Sequence, residues 1–336
     1  MVPECTADLT YGLERRLKKR RLPLNGTFST PEFHTASYDR KIKMSNEIII
    51  PSDTIHLWFC TLDEAIDPLV QDQCEKVLSP DETTRMKRFR FEKHQLQFLI
   101  SHAFLRIVLS RYQNCSPTSI AYSLNEYGKP SLLLNSGQSG VSFNLSHTYG
   151  LACCAVTREG DVGVDVEFME RMGNQDEISE KFFSPVEFAD MMKIHDEKAR
   201  KKRFFHLWTL KEAYIKAKGM GLSLPLDLFS FHFHKNDKIS VTFDPKLQDS
   251  PEHWKFCLLQ PTELHRTAIA YKSTSPNQNI TLETFQTFPF CTGKGVSNTP
   301  LIGLDGGDSF ISHNSKKTSF PNASIGNLLR CKEDPR

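Results

Sequence analysis

The chain has nine cysteines but no C-x-x-C pair among them, and the number is odd. That pattern matches reduced thiols inside a cell better than a disulfide framework. Adjacent Cys153 and Cys154 lie in an apolar run and are expected in the core. No apolar run approaches the length of a membrane span. With 42 basic against 40 acidic residues the net charge is only +2, which gives no argument for a nucleic acid or a membrane as partner. The start lacks the apolar core of a secretory signal, and Glu4, Asp8 and Glu14 count against a mitochondrial presequence. A cytoplasmic location is therefore expected. The spacing of a phosphate-binding P-loop is also missing, since Thr292-Gly293-Lys294-Gly295 does not supply it.

What is present is organised in two parts. A length of 336 residues prompts a division into about two domains. Residues 1–47 show no sustained periodicity and read as a disordered extension. Its basic cluster, Glu14 to Arg21, is taken as a solvated segment rather than a nuclear signal. From Ile48 the pattern predicts a strand at Thr54–Cys60 and a helical stretch Leu62–Leu78 whose true start is near Pro68. Ser79-Pro80-Asp81-Glu82 is a capping box, opening a helical region that runs with a break to about Tyr112. Short strands follow at Ile120–Leu124, Ser131–Leu134, Val141–Leu145 and Leu151–Val156.

The same plan returns with strand 162–168, a helical stretch to Phe183 and a second box, Ser184-Pro185-Val186-Glu187. Helices to Lys218 and strands near Phe229–His234, Ile239–Phe243, Trp254–Leu259 and Thr267–Tyr271 complete it. The two boxes and their surroundings suggest a duplicated α+β unit of about 105 residues. We divide the chain into an N-terminal half, 48–158, a C-terminal half, 159–273, and a tail, 274–336. The tail is rich in Ser, Asn, Thr, Gly and Pro and is expected to be disordered, so that deleting 276–336 should spare activity.

Chemistry concentrates in two stretches. In Val162-Gly163-Val164-Asp165-Val166-Glu167 the valines alternate with Gly163, Asp165 and Glu167, the pattern of a half-buried strand with both acids on one side. In Trp208-Thr209-Leu210-Lys211-Glu212-Ala213-Tyr214-Ile215-Lys216 a helix places Trp208, Glu212 and Lys216 on one face, with Lys211 nearby. Alone, the first is a solvated acidic face and the second a surface ion pair beside a core Trp. Together, Asp165, Glu167 and Glu212 offer three oxygen donors from two rigid elements, which suits Mg²⁺ or Mn²⁺. Tyr127-Gly128-Lys129-Pro130 reads as a turn whose Lys129 can meet a phosphate. Phe143-Asn144-Leu145-Ser146-His147-Thr148 ends a strand with hydrogen-bonding groups. A Ser146–His147 hydrolase fits poorly, because adjacent strand residues face opposite ways and no nucleophile elbow is present. His232 and His234 share a strand face without a third ligand, and His195 lies among charged residues; both groups are expected at the solvent.

These stretches resemble the 4′-phosphopantetheinyl transferases of the Sfp type. That signature pairs a G-[IV]-D-[IV]-E strand with a W-x-x-K-E-[AS]-x-x-K helix, roughly 40 residues apart as here. The Y-G-K-P and F-N-[IL]-S-H motifs also match, over residues 54 to 272. The resemblance implies an α+β pseudo-dimer of two similar halves, each a small antiparallel sheet with packed helices and the site between them. It implies a monomeric holo-[acyl-carrier-protein] synthase that moves the phosphopantetheine arm of coenzyme A onto a carrier serine, releasing 3′,5′-ADP. The carriers would be apo domains of fatty-acid, polyketide, peptide or lysine-pathway synthases. Asp165, Glu167 and Glu212 would hold Mg²⁺, with Mn²⁺ as the other choice. Arg85, Lys129, Ser146, His147 and Lys216 would bind coenzyme A. Arg88 and Lys87 are further candidates in a basic run that belongs to the helix after Ser79. Glu82 stands where some members carry Lys, which removes one phosphate contact. Lys216 would assist the leaving phosphate, and Glu212, Glu167 or Glu187 would take the serine proton. The other readings are a non-catalytic coenzyme A or nucleotide-binding scaffold and a metal-dependent phosphohydrolase.

Overall fold

The computed structural model describes residues 48–62, 67–134, 140–170, 173–234, 238–276, 278–287, 302–304 and 310–311. The basic extension and the Thr292–Gly295 stretch lie outside them. In chain order, β1 is Thr54–Thr61, α1 Pro68–Val77, α2 Pro80–Met86, α3 Glu92–Gln113, β2 Tyr122–Leu124, β3 Pro130–Leu132, β4 Ser142–Thr148 and β5 Leu151–Thr157. The second half runs β6 Asp161–Phe168, α4 Gln175–Phe182, α5 Pro185–Met192, α6 Glu197–Lys218, β7 Phe229–Phe233, β8 Ile239–Phe243, β9 Trp254–Thr262 and β10 His265–Lys272. Beyond it lie β11 Ile280–Gln286, β12 Ile302–Leu304 and β13 Phe310–Ile311.

Local chemistry sets the helix starts. Both expected capping boxes form: Ser79 and Glu82, and then Ser184 and Glu187, exchange side-chain and backbone hydrogen bonds, each with Pro in the first helical turn. Asp67 caps α1 through Leu69 N, so the helix begins at Pro68 and Leu62 stays outside it. The basic run is split. Arg85 closes α2, but the helix ends at Met86 and Lys87 to Phe91 form the break before α3. The long helices α3 and α6 have 22 residues each and start about 105 residues apart, the same spacing as the boxes, as a duplicated unit requires.

The halves pack as four layers. One sheet has the order β13-β11-β1-β5-β4 and the other β12-β9-β10-β6. Ile55, Leu57, Phe59, Leu151, Cys153 and Ala155 of the first meet Val162, Val164, Val166, Cys257, Ile269 and Tyr271 of the second. Helix α3 covers the outer face of the first sheet, where Cys154 and Ala152 pack with Ile100 and Phe104. Helix α6 covers the second, over Phe256, Leu258, Ala268 and Ala270.

Two further expectations need correction. Strand β6 is buried on both faces and not half-buried, because α6 lies on the side that carries the acids. Residues beyond 273 also include structure. β11 pairs in parallel with β1 from Thr54–Thr281 to Phe59–Gln286, adding a parallel pair to an otherwise mainly antiparallel sheet. Ile280 is buried, and Phe285 stacks on Trp58 with ring centroids 4.5 Å apart. Ending the chain after Ser275 removes an Ile and a Phe from this packing and bares the β1 edge. The expected loss is at least about 3 kcal/mol. Ending it after Thr287 should lose much less, and equal urea midpoints for the two truncations would show that β11 contributes nothing.

Candidate active site

Gly163, Asp165 and Glu167 face α6, and the glycine sets how closely the helix approaches. A Cβ at 163 would lie 2.0 Å from Ala213 O and 2.4 Å from Ala217 N. Backbone on backbone contact at this point draws the far end of α6 down onto the acids. Trp208 Nε1 donates to Glu167 Oε1 at 3.0 Å, and Lys216 Nζ donates to Asp165 Oδ1 at 2.6 Å. Glu212, one turn from each, is buried on the same helix. The helix-face expectation for Trp208, Glu212 and Lys216 is thus met by contacts made two turns apart.

The edge of β6 is held in an unusual way. Strand β4 lies against it but supplies side chains instead of backbone partners. Val164 N donates to Asn144 Oδ1 at 2.9 Å, and Val166 N donates to Ser146 Oγ at 3.2 Å. Ser146 also donates to Asp165 Oδ1 at 3.1 Å and accepts from Lys216 Nζ at 2.8 Å. One donor and two acceptors exhaust a hydroxyl, so Ser146 acts here as a hub for Asp165 and Lys216. Asn144 has no role in the sequence reading. Its signal was its place in the strand, two residues before Ser146 and on the same face.

His147 faces the other way, toward α3. Burial holds His102 below its ordinary value; Glu82 opposes this, while the neighbouring charges of His147 and Arg85 add to it. Arg85 and His147 therefore share a neighbourhood around His102, and Arg85 also lies over the Phe98 ring at 5.7 Å. Glu82 has a defined role. It accepts from Arg106 Nε at 2.7 Å and lies 3.1 Å from His102 Nδ1. Burial pushes Glu82 up, but His102, the Ser79 N–H and Arg106 together outweigh it and hold the carboxyl down at about 2.

Lys129 crosses to the second half: its Nζ donates to Ala217 O, near the end of α6, at 2.7 Å. Lys211 is not part of the site. It is fully buried on another side of α6, bonded at 2.7 Å to Leu226 O, Phe229 O and Glu187 Oε2. Glu187 is spoken for, since Ser184 N and Phe231 N also donate to it at 2.9 and 2.8 Å. Its carboxylate is committed to structural partners. His232 and His234 bond to Thr242 and Ser240 of their own hairpin, and His195 is exposed.

Among the described residues no three His, Cys, Asp or Glu side chains are gathered closely enough to hold a metal ion. Asp165, Glu167 and Glu212 are thus not drawn together here, but Asp165 Oδ2 is buried and accepts no hydrogen bond, and a carboxylate oxygen is the kind of donor a hard divalent cation takes. No helix among the described residues is long and apolar enough to cross a membrane.

A family model described as 4′-phosphopantetheinyl transferase superfamily matches residues 161–272. Another, described as 4′-phosphopantetheinyl transferase, N-terminal, matches residues 70–159. The 4′-phosphopantetheinyl transferase HetI of Nostoc sp. is 34% identical over 223 residues, covering 65% of this chain and 88% of its own. The transferase Ffp of Bacillus subtilis is 28% identical over 225 residues, covering 65% of this chain and 94% of its own. Sfp of Bacillus subtilis is 30% identical over 155 residues, 45% of this chain and 66% of its own. Sequence motifs, the duplicated fold and these relatives agree: the chain belongs to the 4′-phosphopantetheinyl transferase superfamily.

Proposed function

We propose that the chain transfers the 4′-phosphopantetheine arm of coenzyme A to a serine of an apo carrier protein and releases 3′,5′-ADP. The observation that carries this reading is the buried Asp165 carboxylate, shared by Lys216 and Ser146 across the two halves, with Glu167 beside it on the same face of β6. Asp165, Glu167 and Glu212 would hold Mg²⁺, or Mn²⁺ in its place, together with the pyrophosphate of coenzyme A. When bound, the ion supplies charge neutralisation on the phosphates and helps orient them.

This chain's own residues do the rest. The carrier serine oxygen forms a bond to the β-phosphorus of coenzyme A as the bond from that phosphorus to the bridging oxygen breaks. The serine proton passes to Glu212 or Glu167, and the Lys216 ammonium stabilises the departing phosphate. Lys129, at the C-terminal end of α6, holds the phosphate-bearing end, and Arg85 and His147 meet the remaining charge. Acyl, peptidyl and aminoadipate-pathway carriers are the substrate classes this chemistry serves. The matching setting is the cytoplasm, a reducing compartment that suits the six described cysteines, all free thiols, and the chain would act as a monomer.

Mass spectrometry of an apo acyl carrier protein, incubated with the protein, coenzyme A and Mg²⁺, tests this. The expected result is a gain of one phosphopantetheine that is abolished by EDTA. Unchanged mass on several unrelated carriers, with coenzyme A still bound, would mean a scaffold. Free phosphate or phosphopantetheine in solution would mean a hydrolase.

A further inference from the structure

The Tyr127–Pro130 turn closes with backbone bonds from Asn125 N to Lys129 O at 3.1 Å and Gly128 N to Asn125 O at 2.9 Å, and it is braced and docked by a side chain that neither motif contains. Asn125 Oδ1 accepts from Tyr127 N at 3.0 Å and from Lys129 N at 2.7 Å, an Asx turn that fixes the backbone ahead of β3. Its Nδ2 donates to Gly219 O at 2.9 Å. The carbonyls at a helix C-terminus lack intrahelical partners and carry the negative end of the dipole. Asn125 and Lys129 therefore satisfy two of them, on Gly219 and Ala217, from the opposite half of the molecule.

Gly219 makes this docking sterically feasible. It caps α6 in the left-handed conformation at φ 67°. A Cβ there would lie 2.6 Å from Lys129 Cδ and 3.2 Å from Asn125 Nδ2. The turn thus rests on a bare backbone.

We propose that Asn125 is a positioning residue for the phosphate-bearing end of coenzyme A, holding Lys129 of one half at a set distance from Lys216 of the other. The proposal rests on the function given above and deepens it. Lys129 grips Ala217 O, and Ala217 is the residue after Lys216, so the two ammonium groups are linked through a single stretch of helix end. An ammonium has three donors, and the bond to Ala217 engages one. Burial holds Lys129 below its ordinary value, with Asp161 opposing, so an incoming phosphate replaces solvation that this group has already lost. Without the Asn125 side chain the turn keeps its two backbone bonds, Asn125 N to Lys129 O and Gly128 N to Asn125 O, but loses both side-chain bonds and the bond to Gly219 O. Lys129 then holds the helix end through its ammonium alone, and more of its ordering falls to the moment the ligand binds.

The test uses the full chain and coenzyme A itself. Asn125→Ala is expected to raise the calorimetric Kd and the KM for coenzyme A about tenfold. The kcat at saturating coenzyme A and the KM for the carrier should stay within about twofold. Asn125→Ser retains a hydroxyl that can accept from the turn but has no amide to reach Gly219 O. It should weaken coenzyme A binding similarly while hydrogen exchange at Tyr127 and Lys129 stays slow. It also carries the test if the Ala variant does not fold. Unchanged coenzyme A affinity in the Ser variant overturns the proposal, as does a fall in kcat with KM unmoved. If the wild-type chain binds no coenzyme A, the proposed function itself fails, and the inference falls with it.

Discussion

Asp165→Asn is expected to lower carrier modification by on the order of 10³-fold while leaving the protein folded. The carboxylate at 165 has two separate duties. Oδ1 takes Lys216 Nζ at 2.6 Å and the Ser146 hydroxyl at 3.1 Å, and the buried Oδ2 accepts no hydrogen bond. Asn keeps the shape and one acceptor, so Ser146 retains its bond and the β4–β6 edge should hold. What it removes is the negative charge, and with it both the anchor for Lys216 and the strongest candidate oxygen for a cation. The readout is initial rate by mass spectrometry, alongside a thermal melt. Full activity in a folded variant would take Asp165 out of the site. A lost activity that tracks a collapsed melt would make its role structural.

The second large effect lies a short way along the same helix and concerns stability. Lys211→Met should destabilise the protein by about 3–5 kcal/mol, because it strands the Glu187 carboxylate in the core. The side chains of Lys211 and Glu187 are both fully enclosed, with Nζ 2.7 Å from Oε2. Burial lowers Lys211 from its ordinary value, and Glu187 pulls it back up through its charge and its hydrogen bond. The ammonium also lies 4.2 Å from the Phe229 ring centroid. Adding Glu187→Gln should recover part of the loss, since Gln keeps an acceptor and no longer carries a buried charge. Urea unfolding of the two single variants and the double variant measures this. A single variant as stable as wild type would show that the pair contributes little. Transfer per folded molecule should be far less affected than in Asp165→Asn, because Lys211 points away from Asp165.

The contrast between Lys211 and Lys216 shows how the site could be read in advance. Five residues apart, they are turned about 140° from each other around a helix of 3.6 residues per turn. Trp208, Glu212 and Lys216 repeat at four and stay on one face. The motif as a string treats the two lysines alike. The helical period separates one as a candidate for the reacting phosphates and the other as part of the core. Glu187 follows from its box: Glu at the third position is called back to the Ser184 N–H before it can serve chemistry.

Local rules of the sequence determined the two capping boxes, the period of two in β6, the helix faces and the about 105-residue repeat. Each depends on residues within a few positions of one another, where backbone geometry and side-chain direction leave few choices. Only the tertiary structure decided that α6 buries the acidic face of β6 and that Asn144 and Ser146 stand in for a missing backbone partner. It also decided that Asn125 and Lys129 close the end of a helix some 90 residues away in the chain. Likewise β11 had the composition of a tail, and its order comes from an open edge on β1. Such contacts join groups far apart in sequence. Their free energy comes from satisfying buried donors, acceptors and charges that each partner alone would leave to water.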